Sequence, residues 1–372
     1  MSTAERGSLP RRRAWVLLPA LLLALVLAGC APTLQPMGPR VAAPTLEAET
    51  FRTADGEALP LRHWLPAGKP RAVILALHGF NDYSNAFDSP ARFWAAHGVA
   101  TYAYDQRGFG GSGRPGIWPG SDTLTQDVLD AAAALNAAYP GVPLYLLGES
   151  MGGAVLLAAF AGRDLPPGIA GLLLSAPAVW SRDTMPFYQR WALSVAGWTV
   201  PWLKLSPPRG LDIQASDNIE VLRALGRDPL VLKETRVDAV RGLTDLMDQA
   251  MAGAEQLAVP ALVLYGENEQ VIPVEPRSRA MRRLPLAEPP RHGPRLALYP
   301  HGWHLLLRDL NAETVWRDVL AWIADPHAAL PSGADRNPRV LTLLDPAPDG
   351  AAADPTATDD EPSSPLEAPP VP

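Results

Sequence analysis

The stretch Leu144-Tyr145-Leu146-Leu147-Gly148-Glu149-Ser150-Met151-Gly152-Gly153-Ala154-Val155-Leu156-Leu157-Ala158-Ala159 decides the reading of this chain. Its first four residues form a short apolar run, the pattern of a strand buried on both faces. Its last six are apolar residues that fit a buried helix. Between them stands G-x-S-x-G, and a strand–turn–helix context is what gives that motif meaning. Gly148 and Gly152 leave room for a sharp turn that lifts Ser150 above the sheet. The helix N-terminus beside it favours developing negative charge. Ser150 is therefore the candidate nucleophile; the plainer alternative is a serine that caps the helix.

Outward from this stretch, strand and helix signals alternate. Strands are expected at Ala72–Leu77, Val99–Tyr104, Pro143–Leu147, Gly171–Leu174, Ala261–Tyr265 and Arg295–Tyr299. Helices are expected at Ser89–His97, Thr123–Ala138, Met151–Ala161, around Glu275–Arg283 and at Asn311–Ile323. Thr50–Ala54 and Ala58–Trp64 read as an antiparallel hairpin entering the sheet. Alternating β and α with buried strands implies an α/β fold with a mostly parallel, doubly wound central sheet. One interval, about 179–257, lacks a buried strand and holds Trp180, Phe187, Tyr188, Trp191, Trp198 and Trp202. It leaves one strand at its carboxyl end and returns before the next, which favours a helical cap over a few extra core helices.

A serine hydroxyl needs a base, and the base needs an orienting carboxylate. On a sheet of this kind the chain order is Ser, acid, His. Glu267 and Glu269 follow one downstream strand, and His301 and His304 follow the last. All four fall on loops at strand C-termini, where they can meet Ser150. An oxyanion hole needs two N–H donors. One is expected from Met151, the residue after the nucleophile. The other is expected from the loop after Ala72–Leu77.

The chain resembles the α/β-hydrolase superfamily, in particular the monoacylglycerol lipase and lysophospholipase (serine aminopeptidase S33-like) branch. The resemblance spans roughly residues 46–324. It rests on His78-Gly79-Phe80, Asp105-Gln106-Arg107-Gly108-Phe109-Gly110, Gly148-Glu149-Ser150-Met151-Gly152, the loop after Gly266, and His304-Leu305-Leu306-Leu307-Arg308-Asp309. It implies Glu269 as the acid, His304 as the base and Phe80 as the second oxyanion donor. The family usually carries Asp where Glu269 stands; Glu has one more methylene with which to reach. His78 and the pair Asp105/Arg107 are expected to brace loops rather than to react.

Both ends of the 372-residue chain read differently from the middle. Arg11-Arg12-Arg13, an apolar run from Ala14 to Ala28, and Leu27-Ala28-Gly29-Cys30 have the layout of a signal peptide ending in a lipobox. Residues 1–29 are read as a lipoprotein signal, and Cys30, the one cysteine, as the lipidation site. Ala31 in place of Asp favours the outer membrane of the cell envelope over the inner. Residues 30–45 read as a tether and 46–325 as the hydrolase domain. Residues 326–372, with 11 prolines and eight acidic residues against two arginines, read as a disordered tail.

A hydrophobic share of 47% excludes a wholly disordered chain, and a net charge of −7 leaves no footprint for nucleic acid. One cysteine allows neither an internal disulfide nor a thiolate zinc cluster. No metal-ligand motif or phosphate loop is present, so neither metal nor other cofactor is expected. The expected activity is hydrolysis of a single-chain lipid ester, a monoacylglycerol or lysophospholipid, through an acyl-enzyme. A short-chain esterase, thioesterase or acyltransferase with the same residues is the first alternative. A non-catalytic, lipid-binding surface lipoprotein is the second.

Overall fold

The computed structural model describes residues 31–206, 213–286 and 293–344. The signal segment and Cys30 lie outside the described residues.

Among the described residues, nine strands form one sheet: β1 (Thr45–Leu46), β2 (Thr50–Arg52), β3 (Ala58–Trp64), β4 (Ala72–Leu77), β5 (Val99–Tyr104), β6 (Leu144–Glu149), β7 (Ile169–Ser175), β10 (Ala261–Gly266) and β11 (Pro294–Tyr299). Their spatial order is β1-β2-β3-β5-β4-β6-β7-β10-β11. The first three enter antiparallel, and β5 onward are parallel. The expected strands are all present. Four run past their expected bounds: Glu149↔Ser175 and Leu144↔Ile169 extend the pairing of β6 and β7, and Gly266↔Tyr299 and Ala261↔Pro294 that of β10 and β11.

Side chains alternate across a strand, so each apolar run feeds both faces. Val73, Leu75 and Leu77 of β4 join the core under α2 (Ser121–Ala138), α3 (Met151–Ala159) and α6 (Val237–Ala254). Ala72, Ile74 and Ala76 face α1 (Asp88–Ala96) and α8 (Ala312–Ala324), through Trp94, Val315, Val319 and Trp322. β6 lies in the middle of the sheet, and its C-terminal end carries Ser150.

The interval 179–257 divides in two. Helix α6 is a core helix, with Leu246, Ala250 and Ala254 fully buried against α3. The cap proper is α4 (Phe187–Thr199), β8 (Lys204–Leu205), α5 (Ile219–Arg227) and β9 (Thr235–Arg236), with β8 and β9 paired antiparallel. Helix α4 rests on α6 and exposes Phe187, Tyr188, Trp191, Val195 and Trp198 to solvent.

Two further readings change. The expected tether is laid on the domain from residue 31 onward. Thr33 N–H donates to Asp238 Oδ2 (3.1 Å), Met37 N–H to Thr123 Oγ1 (3.0 Å), and Arg40 pairs with Asp130 (2.9 Å). The expected disordered tail is docked as far as Leu344. Leu330 and Leu343 are buried, Arg295 pairs with Asp335, and α9 (Val340–Leu344) packs on α7 (Val274–Arg283). Composition counts prolines and charges, but not the leucines and the ion pairs of Arg295 with Asp335 and of Arg339 with Glu267 that hold this segment to the domain.

Candidate active site

Ser150 sits between β6 and α3 with φ 51° and ψ −110°, a conformation rare for a residue with a side chain. The turn is held from both sides: Ser150 N–H donates to Ser175 O (2.9 Å), and Ala178 N–H donates to Ser150 O (2.9 Å). Such backbone strain persists only where its surroundings over-determine it. The glycines make that fit possible, since a Cβ at Gly152 would run into the Leu77 carbonyl. Met151 is the first residue of α3, so its N–H has no partner within the helix.

The structure separates the two acid candidates and the two base candidates. His304 Nδ1–H donates to Glu269 Oε2 at 2.7 Å, and both side chains are buried. The other carboxylate oxygen, Oε1, accepts from Val271 N–H (2.6 Å) and Ile272 N–H (3.0 Å). Burial works to raise the Glu269 carboxyl's pKa, but the His304 charge and these hydrogen bonds outweigh it and hold it below the usual value. Glu267 turns away to the docked tail, where Asn337 Nδ2 (3.0 Å) and Arg339 (2.9 Å) meet it. His301 is exposed. The acid and base loops touch directly: Asn268 N–H donates to Gly302 O (2.9 Å), and a Cβ at Gly266 would collide with Gly302.

The loop after β4 lies against the serine. A Cβ added to Gly79 would come within 3.4 Å of Ser150 Cβ. Among the described residues nothing accepts from the Phe80 N–H. The Phe80 ring packs edge-on against Phe109 with centroids 5.5 Å apart. His78 is fully buried and ties this loop to the next: Nδ1–H donates to Gly79 O (2.8 Å) and Nε2 accepts from Gln106 N–H (3.0 Å). Burial lowers its pKa and keeps the ring neutral. Asp105 accepts from Ser84 N–H (3.0 Å) and Gly111 N–H (2.7 Å), and Arg107 bridges Asp55 and Asp127 inside the fold. These residues brace the loops, as expected of them.

One feature was not anticipated. Arg308, four residues after His304, reaches Asp82 Oδ2 (2.8 Å) and Glu149 Oε1 (2.5 Å). The sequence signals it only as a cation after the Leu305–Leu307 run. Its partners, at positions 82 and 149, are separated too widely for any spacing rule to reveal.

Comparison with known proteins supplies the family. The profile of serine aminopeptidase, S33 (Hydrolase_4) matches residues 68–311. Monoglyceride lipase of Homo sapiens is 27% identical over 277 residues, covering 73% of this chain and 88% of the relative. Monoacylglycerol lipase of Mycolicibacterium smegmatis is 29% identical over 287 residues, covering 75% and 97%. Among solved structures, a Paleococcus ferrophilus monoacylglycerol lipase superposes with a TM-score of 0.60 at 23% identity, covering 73% of this chain and 99% of that one. A soluble variant of Saccharomyces cerevisiae monoglyceride lipase, in complex with a substrate analogue, gives 0.60 at 20% identity, covering 79% and 99%. The chain thus belongs to the serine aminopeptidase S33 family, in the monoacylglycerol lipase branch of the α/β-hydrolases, and is a carboxylic ester hydrolase.

Proposed function

We propose that the protein hydrolyses monoacylglycerols through an acyl-enzyme on Ser150, with His304 as base and Glu269 as the orienting acid. The observation that carries this reading is the 2.7 Å bond from His304 Nδ1–H to Glu269 Oε2, on loops that leave β11 and β10 at the same sheet edge where β6 ends in the strained Ser150. That bond fixes the neutral tautomer in which Nε2 carries the free lone pair. Nε2 takes the Ser150 proton as Oγ attacks the ester carbonyl. Glu269 stabilises the imidazolium so formed, and the Met151 and Phe80 N–H groups receive the oxyanion. The imidazolium then protonates the departing glycerol oxygen. A water, deprotonated by the same Nε2, attacks the acyl-serine; the fatty acid leaves and the serine proton is restored.

A single-chain lipid substrate is supported by the names of the relatives and by the cap. The outward face of α4 carries Trp191 at 71% and Trp198 at 62% exposure, beside Phe187 and Tyr188. Aromatic side chains with polar tips favour a lipid–water boundary. The N-terminal segment supports the same setting: Pro32 and Leu34 line one groove of about 630 Å³ together with Trp198. A diacylglyceryl anchor on Cys30, in the outer membrane, would hold the enzyme beside such substrates. Mass spectrometry of the mature N-terminus tests the anchor; an unmodified Cys30 refutes it. The substrate is tested by comparing 1-monoacylglycerols, lysophospholipids and short-chain esters. Highest kcat/KM on long-chain monoacylglycerol supports the reading. A preference for lysophospholipid or for short chains replaces it.

A further inference from the structure

Arg308 joins two loops and the end of strand β6, which no other described side chain joins together. It belongs to the loop that carries His304. Its Nη1 meets Asp82 Oδ2 at 2.8 Å, on the loop that follows Phe80. Its Nη2 meets Glu149 Oε1 at 2.5 Å, on the residue that precedes Ser150. All three side chains are almost wholly buried. The arginine backbone is also held, with Arg308 N–H on Leu305 O (2.7 Å) and Arg308 O accepting from Asn218 Nδ2 (3.1 Å). We propose that Arg308 is a positioning residue for ester hydrolysis: one planar guanidinium sets the spacing between the nucleophile turn, the oxyanion loop and the histidine loop. This rests on the assignment of Ser150, His304 and Phe80 given above.

The chemistry suits a clamp better than a stabiliser. Burying an ion cluster is costly, and apolar side chains of similar volume often stabilise a fold as well or better. Here the fit is incomplete, since Glu149 Oε2 and Arg308 Nε make no hydrogen bond among the described residues. What the cluster supplies is geometry. A guanidinium offers several donors in one fixed plane, whereas an ammonium is a single point on a flexible stem. Misplacing a reacting group by about 1 Å costs on the order of 10²-fold in rate.

Asp82, on its loop, and Glu149, at the end of β6, face the guanidinium; His304 shares the loop of Arg308, and His78, Asp309 and Glu269 stand around them. Burial raises the Glu149 carboxyl, and the Arg308 charge opposes that rise. Without the cation that rise goes further, so Glu149 takes up a proton rather than staying a buried, unpaired charge, and its hold on the neighbouring loops is lost.

The test compares Arg308→Met, Arg308→Lys and Arg308→Met/Glu149→Gln in the full chain, with kcat expressed per active site titrated by a fluorophosphonate. Ser150→Ala is the control for the underlying assignment and must abolish hydrolysis of every ester. Arg308→Met is expected to lose about 10²-fold in kcat, on monoacylglycerol and on a water-soluble short ester alike, with KM little changed. Arg308→Lys keeps the charge and is expected to leave kcat at least about tenfold low, because one ammonium cannot span both carboxylates. The double variant, which removes the cation and one carboxylate charge together, is expected not to recover kcat. If Arg308→Met does not fold, Arg308→Lys and Glu149→Gln, which opens one arm alone, carry the test. A lowered melting temperature with kcat per titrated site within threefold of wild type overturns the proposal, as does full recovery of kcat by lysine.

Discussion

Glu269→Gln keeps the shape of the side chain and removes its charge. The structure dictates how the new amide must turn. Val271 N–H and Ile272 N–H both point at the Oε1 position, at 2.6 and 3.0 Å. If the amide oxygen occupies that position, the NH₂ faces His304 Nδ1, which must then become an acceptor. The proton moves to Nε2, the atom that has to receive the serine proton, and the base is in the wrong tautomer. If the amide flips, its oxygen serves His304 but its NH₂ meets two N–H donors inside the fold, and each buried donor left unpaired costs about 1–3 kcal/mol. Neither orientation supplies the charge that stabilises the imidazolium.

A wrong-tautomer substitution of this kind costs about 10⁴ in kcat in the well-studied serine proteases. We therefore expect a fall of about 10³–10⁴, or roughly 4–5.5 kcal/mol of barrier. The assay is kcat on a monoacylglycerol per titrated site, with rates of fluorophosphonate labelling measured alongside. Glu267→Gln is the matched comparison and is expected to stay near wild type, because Glu267 is engaged by Asn337 and Arg339. Glu269→Gln retaining more than a tenth of wild-type kcat, or Glu267→Gln losing it, would refute the reasoning.

The remaining predictions concern the cap and one buried acid. Trp191→Ser/Trp198→Ser is expected to weaken binding to phospholipid vesicles at least tenfold while leaving hydrolysis of a soluble short-chain ester within twofold; equal vesicle binding would remove the cap face from the lipid contact. Asp309 accepts from Trp303 N–H (2.7 Å) and Ser216 Oγ–H (2.6 Å), and burial pushes its pKa up to about 6. Between about pH 4 and 6 the folded chain then binds a proton that the unfolded chain releases, so this group's contribution to stability falls as pH rises through that window. Urea unfolding should show wild type losing on the order of 1–3 kcal/mol relative to Asp309→Asn between pH 4 and pH 7. Parallel stability curves for the two proteins would contradict this.

The sheet was legible because its strands are buried on both faces, so that a run such as Ala72–Leu77 has no polar position. The serine turn was legible because only glycines fit beside it. What the sequence withheld are matters of direction. Glu267 and Glu269 are two residues apart, and only the fold turns one toward His304 and the other toward Asn337. The pattern of Val237–Ala254 announces a helix with an apolar face, but not that α3 covers that face. The tether's prolines and alanines carry no periodicity, and its hold on the domain runs through Asp238, 205 residues away from Thr33. The Arg308 clamp likewise depends on loops that meet only once the sheet has formed.

The central claim is that Ser150 forms the acyl-enzyme. Its most direct test is to label the protein with a fluorophosphonate, locate the adduct by tandem mass spectrometry, and assay monoacylglycerol hydrolysis in parallel with Ser150→Ala. One phosphonate per chain, on Ser150, with loss of activity in step and no activity in the alanine variant, is the result expected. An adduct on another residue, or hydrolysis that survives Ser150→Ala, would contradict it.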